Sequence, residues 1–329
     1  MAMSKERTNL HQRLDEALIT PRSSVAHYDI TTLRLFVSVV ELGNIAQASR
    51  INHIAASAIS KRISDLEARV GVNLLYRLRG GVEPTEAGSA MLRRAKRILL
   101  LLEDMEAELS EYTNGMRGQV RLWANTSSIT QFVPEDLTRY VERFPEVGIE
   151  LREETSQVIV DGIREGLTDL GVFSGHVDSG DLETRIYRHD TLMVILPANH
   201  PLESHQRLRL ADIAPYDNVG LQDGSSLQYK LMNEAAALDI PLRFRVKVLS
   251  FDGIRRMVEA GLGLAVLPEG AVIPYLDMGG FSAVKLDEPW ATRSLMLGFR
   301  DYKSLPVVAR SLIECLAPDA SPDLLQVTS

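Results

Sequence analysis

The stretch NIAQASRINHIAASAISKRISDLEARV, from Asn44 to Val70, decides the fold of this chain. Asn44 is followed by Gln47 at the spacing of a capping box, which predicts the start of a short helix. The pattern then breaks at residues 51–53, where Asn52 tolerates the left-handed backbone that a tight turn needs. A second helix is predicted to begin at about Ala56. The stretch therefore predicts two short helices joined by a tight turn.

The second predicted helix has two faces of different chemistry. One face is apolar and consists of Ile59, Ile63, Leu66 and Val70. The other face has short hydroxyls and one cation, and consists of Ser57, Ser60, Lys61 and Ser64. Such side chains suit close approach to phosphates and base edges of DNA. An ordinary amphipathic helix with a solvated polar face has the same pattern, so this stretch alone leaves both interpretations open.

The flanking residues favour the DNA-binding interpretation. An earlier helix that ends at Gly43 is predicted by apolar side chains, which are Leu33, Phe36, Val37 and Val40. Downstream, Arg77–Gly81 is a basic tip that contains glycine, as expected of a wing beside a minor groove. Thr85–Gly88 then caps and opens a long helix.

This order of segments resembles the N-terminal winged helix-turn-helix of the LysR-type transcriptional regulators. The matching residues are Phe36 with Val39, Ala48, Ala58 with Ser60, Ile63 with Leu66-Glu67, Val70-Gly71, Leu74-Leu75, Arg77 and Thr85-Glu86-Ala87-Gly88. The resemblance implies a DNA-binding domain over residues 28–84. The residues expected to contact DNA are Asn44, Ala56, Ser57, Ser60, Lys61, Ser64, Arg77 and Arg79.

The start of the recognition helix departs from the family pattern, which often reads Ser-Gln-Pro-Ala. The equivalents here are Ala55, Ala56, Ser57 and Ala58. Ala55 lacks the usual capping hydroxyl, which is worth about 1 kcal/mol, and Ala56 lacks an amide that could reach adenine. Base readout is therefore expected to depend on Ser57, Ser60, Lys61 and the wing.

The charge is divided unevenly along the 329 residues, and the net value is −8. Residues 28–97 carry 11 Lys and Arg against 6 Asp and Glu, whereas the other residues carry 25 against 38. This division confines non-specific contact with DNA to the basic segment. The content of hydrophobic residues, 45%, is ordinary for a globular protein.

Several classes of protein are disfavoured by what the sequence lacks. Cys315 is the only cysteine, which excludes an intrachain disulfide and a cysteine-based metal cage. The apolar run Ile98–Leu102 is too short to span a membrane. Residues 1–27 have basic side chains but no apolar core, so they are expected to be a variable extension and not a secretory signal. We expect a cytoplasmic protein without membrane contact, metal or cofactor.

The helix after Thr85 is predicted to reach about Tyr112 and to carry an apolar seam at heptad spacing. The seam residues are Met91, Ala95, Ile98, Leu102, Met105, Leu109 and Tyr112. Such an apolar surface needs a partner, either elsewhere in the same chain or in a second copy. The resemblance favours dimerisation through residues 85–113, because the linker helices of LysR-type regulators pair in this way.

After a flexible break at residues 114–118, predicted strands and helices alternate, which indicates an α/β domain with mostly parallel sheets. Two separate short strands are predicted at Thr184–Tyr187 and Leu192–Leu196.

Further segments resemble the LysR-type effector domain, namely Phe132–Pro134, Arg143–Pro145, Asp169–Val172, His200–Leu202 and Val258–Pro268. The resemblance implies two lobes joined by crossover strands, as in periplasmic solute-binding proteins. The expected fold is an all-α winged helix-turn-helix with a long linker helix, followed by a two-lobed α/β effector domain. The expected limits are 118–329 for the effector domain, 118–188 with 292–329 for lobe I, and 189–291 for lobe II.

Two loops have a composition that suits a small-molecule site, because ligands of such sheets bind beyond strand ends and near helix N-termini. Asn125–Ser128 follows the first strand and precedes the helix at Pro134, and Gln222–Ser226 precedes the helix at Leu227. The residues expected to bind an effector are Thr126, Ser127, Ser128, Phe173, Asp223, Gly224 and Ser225. Their hydroxyls and backbone N–H groups favour a small organic or aromatic acid. Helix capping alone would explain the same residues.

Asp223 leaves two interpretations open. A carboxylate beside an anion site would repel an acidic ligand. Either Asp223 only caps the following helix, or the ligand carries a hydrogen-bond donor as well as an acid.

The leading functional expectation is a sequence-specific transcriptional regulator that binds operator DNA as a dimer or tetramer and responds to a small acid. If it activates transcription, it would also contact RNA polymerase. The alternative is a cytoplasmic two-lobed binding protein without a transcriptional role. An enzyme is disfavoured, because the sequence has no P-loop, no H-E-x-x-H and no G-x-S-x-G.

Overall fold

The computed structural model describes residues 28–114 and 117–318, with the side chains of residues 103, 104 and 106–114 excluded. The chain divides into two compact units, the first ending at Glu103 and the second beginning at Asp104. The predicted extension over residues 1–27 and the seam side chains of Leu109 and Tyr112 lie outside the described residues.

From residue 28 onward, the N-terminal unit contains three helices, a two-stranded hairpin and the start of a long helix. In chain order these are α1 (Ile30–Leu42), α2 (Ile45–Asn52), α3 (Ala56–Val70), β1 (Leu75–Leu78), β2 (Gly81–Pro84) and α4 (Glu86–Asn114). Their shared core includes Phe36, Val39, Ala48, Ile59, Ile63, Leu66, Leu74 and Val82. The predicted helix-turn-helix is confirmed, and the hairpin is the predicted wing.

The turn between α2 and α3 differs from the prediction in one respect. His53, with a φ of 53°, takes the left-handed conformation, and Asn52 is the last residue of α2. The amide nitrogen of Asn52 donates to the Ser38 hydroxyl at 2.8 Å and to the Ala48 carbonyl at 2.9 Å. Because these bonds hold Asn52 against α1 and α2, the left-handed position moves to the next residue.

Glycine allows close contact between the wing, the long helix and the helix-turn-helix. A Cβ atom on Gly88 would lie 1.9 Å from the Leu74 carbonyl oxygen, which no side chain tolerates. The Thr85 hydroxyl accepts a hydrogen bond from the Gly88 N–H at 2.9 Å. Thr85 therefore caps α4 as predicted, and Gly88 seats that helix against the residues that lead into β1.

The C-terminal unit alternates strands and helices. The elements of its first half are β3 (Gly118–Ala124), α5 (Thr126–Gln131), α6 (Val133–Arg143), β4 (Val147–Glu153), α7 (Ser156–Glu165), β5 (Leu170–Ser174) and β6 (Glu183–Pro197). Those of its second half are β7 (Arg207–Leu208), α8 (Leu210–Ile213), β8 (Asp217–Leu221), α9 (Ser226–Ala237), β9 (Arg243–Val248), α10 (Phe251–Glu259), β10 (Ala265–Pro268), β11 (Phe281–Leu286), β12 (Thr292–Phe299) and α11 (Val307–Leu316).

The long strand β6 belongs to both lobes. Residues 183–191 pair with β12 in lobe I, where the strand order is β4-β3-β5-β12-β6. Residues 192–197 pair with β10 and β11 in lobe II, and a bridge from Asn218 to Leu264 adds β8 and its neighbour β9. The prediction of two separate strands here is wrong, because residues 188–191 also pair with β12.

The sheets are mixed rather than mostly parallel. β3, β4 and β5 are parallel to one another, whereas β12 and β6 are antiparallel to their neighbours because they connect the lobes. Each lobe has its own apolar core, represented by Leu122 and Leu297 in lobe I and by Val194 and Leu264 in lobe II. The strand ends and helix starts of the two lobes meet in a cleft.

Candidate functional site

The first candidate site is the outer face of α3. Ser57, Lys61 and Ser64 are exposed and Ser60 is half-buried, whereas the opposite face is buried in the core. Lys61 makes no ion pair with any residue that the structure describes. α3 starts at Ala56 without a side-chain cap from Ala55, in agreement with the sequence. The face therefore offers hydroxyls and a free ammonium group to solvent.

Arg77 connects the wing to this face of α3. Its guanidinium donates to the Ser60 hydroxyl at 3.3 Å and to the Ser64 hydroxyl at 3.2 Å. Arg79 is exposed in the two-residue turn between β1 and β2. The structure thus brings three predicted DNA-contacting residues into direct contact and places a fourth at the tip of the wing.

Two other cap positions stabilise the helix-turn-helix. The Asn44 side-chain oxygen accepts from the Ala46 N–H at 2.8 Å and from the Gln47 N–H at 3.1 Å, so this oxygen is committed to starting α2. Arg62 of α3 pairs with Asp29, the cap of α1, at 2.7 Å. This cation holds α3 against α1. The sequence alone predicts no role for Arg62, which belongs to neither of the two predicted faces of this helix.

The second candidate site is a cavity of about 460 Å³ between the two lobes. Four helices begin at its wall, and their N-cap residues all line it, namely Asn125, Thr155, Ser225 and Ser250. The N-terminus of a helix has unpaired N–H groups and a partial positive charge, so it attracts anions. The wall also includes the apolar side chains of Leu221, Leu227, Leu249 and Phe251.

Four of the seven residues predicted to bind an effector line this cavity, and these are Thr126, Ser127, Asp223 and Ser225. Ser128 does not line it, because its hydroxyl is fully buried and donates to Asn125 at 2.9 Å. Phe173 is 1% exposed and lies in an apolar cluster of lobe I. Gly224, with a φ of 99°, forms the turn between two lining residues. The predicted loop at Asn125 is in fact the start of the short helix α5.

A buried ion pair behind Ser127 was missed by the sequence interpretation. Arg293 of β12 and Asp190 of β6 face each other across the paired strands, and their side chains are 8% and 1% exposed. The Arg293 Nε donates to Asp190 at 2.9 Å, and its Nη2 donates to the Ser127 hydroxyl at 2.8 Å. In the sequence, only the position of Asp190 between two predicted strands points to this ion pair. The ion pair lies where the connecting strands pass between the lobes.

Hydrogen bonds also join the lobes beside the cavity. The Ser156 hydroxyl of lobe I donates to the Ser226 hydroxyl of lobe II at 3.1 Å. The His176 ring contacts the Ser226 carbonyl at 3.1 Å through Nε2 and the Ser174 hydroxyl at 2.9 Å through Nδ1. Partial burial of the ring, with the nearby charges of Arg293 and Lys230, lowers the pKa of His176. The neutral ring with its proton on Nε2 fits both contacts.

The seam of α4 is partly used within its own unit. Ala95 is fully buried and Met91 contacts the core of the N-terminal unit. In contrast, Ile98 is 42% exposed and Met105 is 50% exposed, and Leu102 is half-buried. Packing within the chain therefore covers the first seam residues and leaves later ones in contact with solvent.

A winged helix-turn-helix, a long helix and a two-lobed α/β domain with an interlobe cavity define a DNA-binding regulator with a ligand-binding domain. Residues 30–89 match the family of bacterial regulatory helix-turn-helix proteins of the lysR type, and residues 113–321 match the LysR substrate binding domain. The chain belongs to the LysR family of transcriptional regulators.

Two relatives are similar to this chain over most of its length. LrrA of Synechococcus elongatus, a probable HTH-type transcriptional regulator, is 30% identical over 247 residues, which are 75% of this chain and 83% of LrrA. A probable RuBisCO transcriptional regulator of Thalassiosira pseudonana is 24% identical over 281 residues, which are 83% of this chain and 92% of that protein.

Solved structures show the same fold. Full-length CbnR in complex with its target DNA has a TM-score of 0.69 at 20% identity, covering 88% of this chain and 99% of CbnR. A full-length variant of OxyR from Pseudomonas aeruginosa has a TM-score of 0.66 at 19% identity, covering 90% of this chain and 99% of OxyR. Among the described residues, no helix has the length and apolar character needed to cross a membrane.

Proposed function

We propose that this LysR-type regulator reads its operator with α3 and the wing, and that a small acidic metabolite in the interlobe cavity alters the operator complex. The observation that carries the DNA-binding part is the α3 face, where Lys61 is exposed beside the Ser60–Arg77 contact. A flexible cation next to hydroxyls can reach base edges, while Arg79 at the wing tip can reach a phosphate.

The acidic character of the metabolite is supported by the helix starts at the cavity. α7, α9 and α10 each direct a first turn of backbone N–H groups toward it. Ser127, backed by Arg293, adds a hydroxyl donor. These groups together favour a carboxylate.

The assembly that we propose is a dimer or a pair of dimers, formed through the exposed seam residues Ile98 and Met105 of α4 and the half-buried Leu102 between them. It acts in the cytoplasm, and it contacts RNA polymerase if it activates transcription. A two-lobed binding protein without a transcriptional role is not favoured, because residues 30–89 match the helix-turn-helix family.

The experiment is fluorescence anisotropy of the full-length protein with DNA from upstream of its own gene, measured over a range of salt concentrations. We expect affinity to fall as salt rises, because phosphate contacts release counterions. Lys61→Ala should make the free energy of operator binding less favourable by about 1–3 kcal/mol if Lys61 contacts a base edge. Arg79→Ala should weaken binding to every duplex, whatever its sequence. It should also reduce the slope of log affinity against log salt concentration by about one.

Lys303→Ala, which removes an exposed lysine from the C-terminal unit, is the matched control and should leave affinity unchanged. Binding that does not depend on salt, or equal losses in Lys61→Ala and Lys303→Ala, would contradict the proposed DNA-binding face.

A further inference from the structure

The wall of the interlobe cavity is acidic. Glu153 and Glu154 of lobe I and Asp223 of lobe II line it, and among the described lining residues none is Lys or Arg. Asp223 does not cap α9, because that cap is Ser225, whose hydroxyl accepts from the Gln228 N–H. Helix capping therefore does not explain the carboxylate of Asp223.

Two of these three carboxylates have a cation of their own. Glu154 pairs with Arg152 at 2.6 Å, and Asp223 pairs with Lys247 at 2.6 Å. Glu153, in contrast, accepts a hydrogen bond from the Thr126 hydroxyl at 2.6 Å and has no cationic partner among the described residues. A full negative charge thus remains at the cavity wall, where it repels a purely anionic ligand.

The part of the cavity next to Ser127 offers a hydrogen-bond donor instead of a carboxylate. Ser127 is 5% exposed, and its oxygen accepts a hydrogen bond from Arg293, so its own proton is left to donate to a ligand. The Arg293 side chain is 8% exposed, and its Nη1 has no hydrogen-bond partner in the described part of the chain. The guanidinium is paired with Asp190, whose Oδ1 also has no hydrogen-bond partner in the described part of the chain. The donor hydroxyl of Ser127 and the helix starts at the cavity are therefore the groups that favour an anionic group at Ser127.

We propose that the ligand of this cavity is a zwitterion of the α-amino-acid class, with its carboxylate at Ser127 and its ammonium group at Glu153. This inference rests on the proposed function of the cavity as the effector site. A ligand of this class satisfies both ends of the cavity, and its side chain meets the apolar wall of Leu221, Leu227 and Phe251. Glu153 is then the residue that distinguishes an amino acid from a simple organic acid, and Ser127 is the residue that distinguishes it from an amine without a carboxylate.

The first test is a thermal-shift screen of the full-length protein against the twenty L-α-amino acids, their 2-hydroxy acids and a set of dicarboxylic acids. Calorimetry then compares the most stabilising amino acid with its 2-hydroxy acid, which lacks the ammonium group, and with the corresponding amine, which lacks the carboxylate. We expect both analogues to bind at least about tenfold more weakly, because the 2-hydroxy acid leaves the Glu153 carboxylate without a cation and the amine leaves the Ser127 hydroxyl without an acceptor.

The second test is Glu153→Gln, with Glu150→Gln as the matched control on the same exposed strand. Glu153→Gln should lower the affinity for the amino acid at least about tenfold. It should leave the affinity for the 2-hydroxy acid unchanged or slightly higher. Glu150→Gln should change neither, since Glu150 does not line the cavity. Operator binding without ligand, measured on the same samples, should be retained by both variants and reports correct folding.

The proposal of a zwitterionic ligand is overturned if 2-hydroxy acids or dicarboxylic acids bind preferentially. It is also overturned if Glu153→Gln leaves the affinity for the amino acid unchanged. Stabilisation by no compound of the screen overturns it as well. In each case salt-dependent operator binding by the parent protein shows that the regulator function itself stands.

Discussion

His176 links the two lobes through both nitrogens of its ring, to Ser174 in lobe I and to Ser226 in lobe II. Its pKa is lowered from 6.5 by partial burial and by the charges of Arg293 and Lys230. The unfolded chain therefore binds this proton more readily than the folded chain does. Stability from this contact is complete above about pH 6.5 and is lost as the pH falls below that value.

We therefore expect the melting temperature of the protein to fall between pH 7.5 and pH 5.5, and to fall less steeply in His176→Gln. Scanning calorimetry at several pH values measures this difference. His205→Gln, which changes an exposed histidine in lobe II, is the control and should keep the parent's pH dependence. An unchanged slope in His176→Gln would show that this ring does not titrate on unfolding.

At the residue scale, the sequence could predict Ser127 and could not predict its partner. Ser127 follows a predicted strand, which is where ligand-binding hydroxyls occur. Arg293 lies 166 residues further along the chain, and only the pairing of β12 with β6 brings it to Ser127. The prediction for Phe173 fails for a related reason, because its side chain packs in an apolar cluster formed with residues of other elements of lobe I and does not line the cavity.

At the scale of elements, Gly88 determines how α4 begins. A Cβ atom at this position would overlap the Leu74 carbonyl oxygen, and backbone cannot move aside as a flexible side chain can. Gly88→Ala should therefore destabilise the N-terminal unit by about 1–3 kcal/mol, as overpacking does in protein cores. Denaturant unfolding monitored by circular dichroism measures this loss.

Gly80→Ala is the matched control in the same unit, because a Cβ at Gly80 would meet no atom within 4 Å. It should leave stability nearly unchanged. Equal stability of Gly88→Ala and the parent protein would mean that α4 shifts freely relative to the residues before β1, against the contact described here.

The seam of α4 leads to a prediction about assembly. Ile98 and Met105 remain exposed in the single chain and Leu102 lies between them at heptad spacing. Leu102→Asp places a charge in this seam and should give monomers or aggregates with lost operator affinity. Leu102→Ile, which conserves apolar volume, should remain a dimer. Analytical ultracentrifugation at low protein concentration distinguishes the outcomes, and a folded, dimeric Leu102→Asp protein would place the interface elsewhere.

The elements that the sequence predicted well are long and periodic, and those it missed are short or polar. α3 and α4 have apolar faces that repeat over several turns, so their spacing was sufficient to predict them. α5 has only six residues, too few to show a period, so the sequence predicts a loop there. In place of β6 the sequence predicts two strands, because the middle residues, 188–191, are polar where the strand passes between the lobes.

At the scale of the whole molecule, the proposed DNA-contacting residues and the proposed ligand cavity lie in different compact units. The basic residues of α3 and the wing belong to the unit that ends at Glu103, and the cavity belongs to the unit that begins at Asp104. A substitution that affects only the cavity should therefore alter the response to a ligand without altering DNA binding in its absence.

Ser127→Ala tests this separation. It removes the hydroxyl that we propose donates to the ligand, while Arg293 keeps its two bonds to Asp190, so the interlobe strands should hold their arrangement. Loss of a hydrogen bond to a charged group costs about 1.5–3 kcal/mol, or roughly one to two decades in affinity. We expect calorimetry to show that loss for the most stabilising compound of the ligand screen, and gel shifts without ligand to match the parent protein.

The control is Ser204→Ala, which changes an exposed serine that does not line the cavity and should change neither measurement. Parent-like ligand affinity in Ser127→Ala would exclude this hydroxyl from the site, because a donor to a bound carboxylate is not removed without loss of affinity.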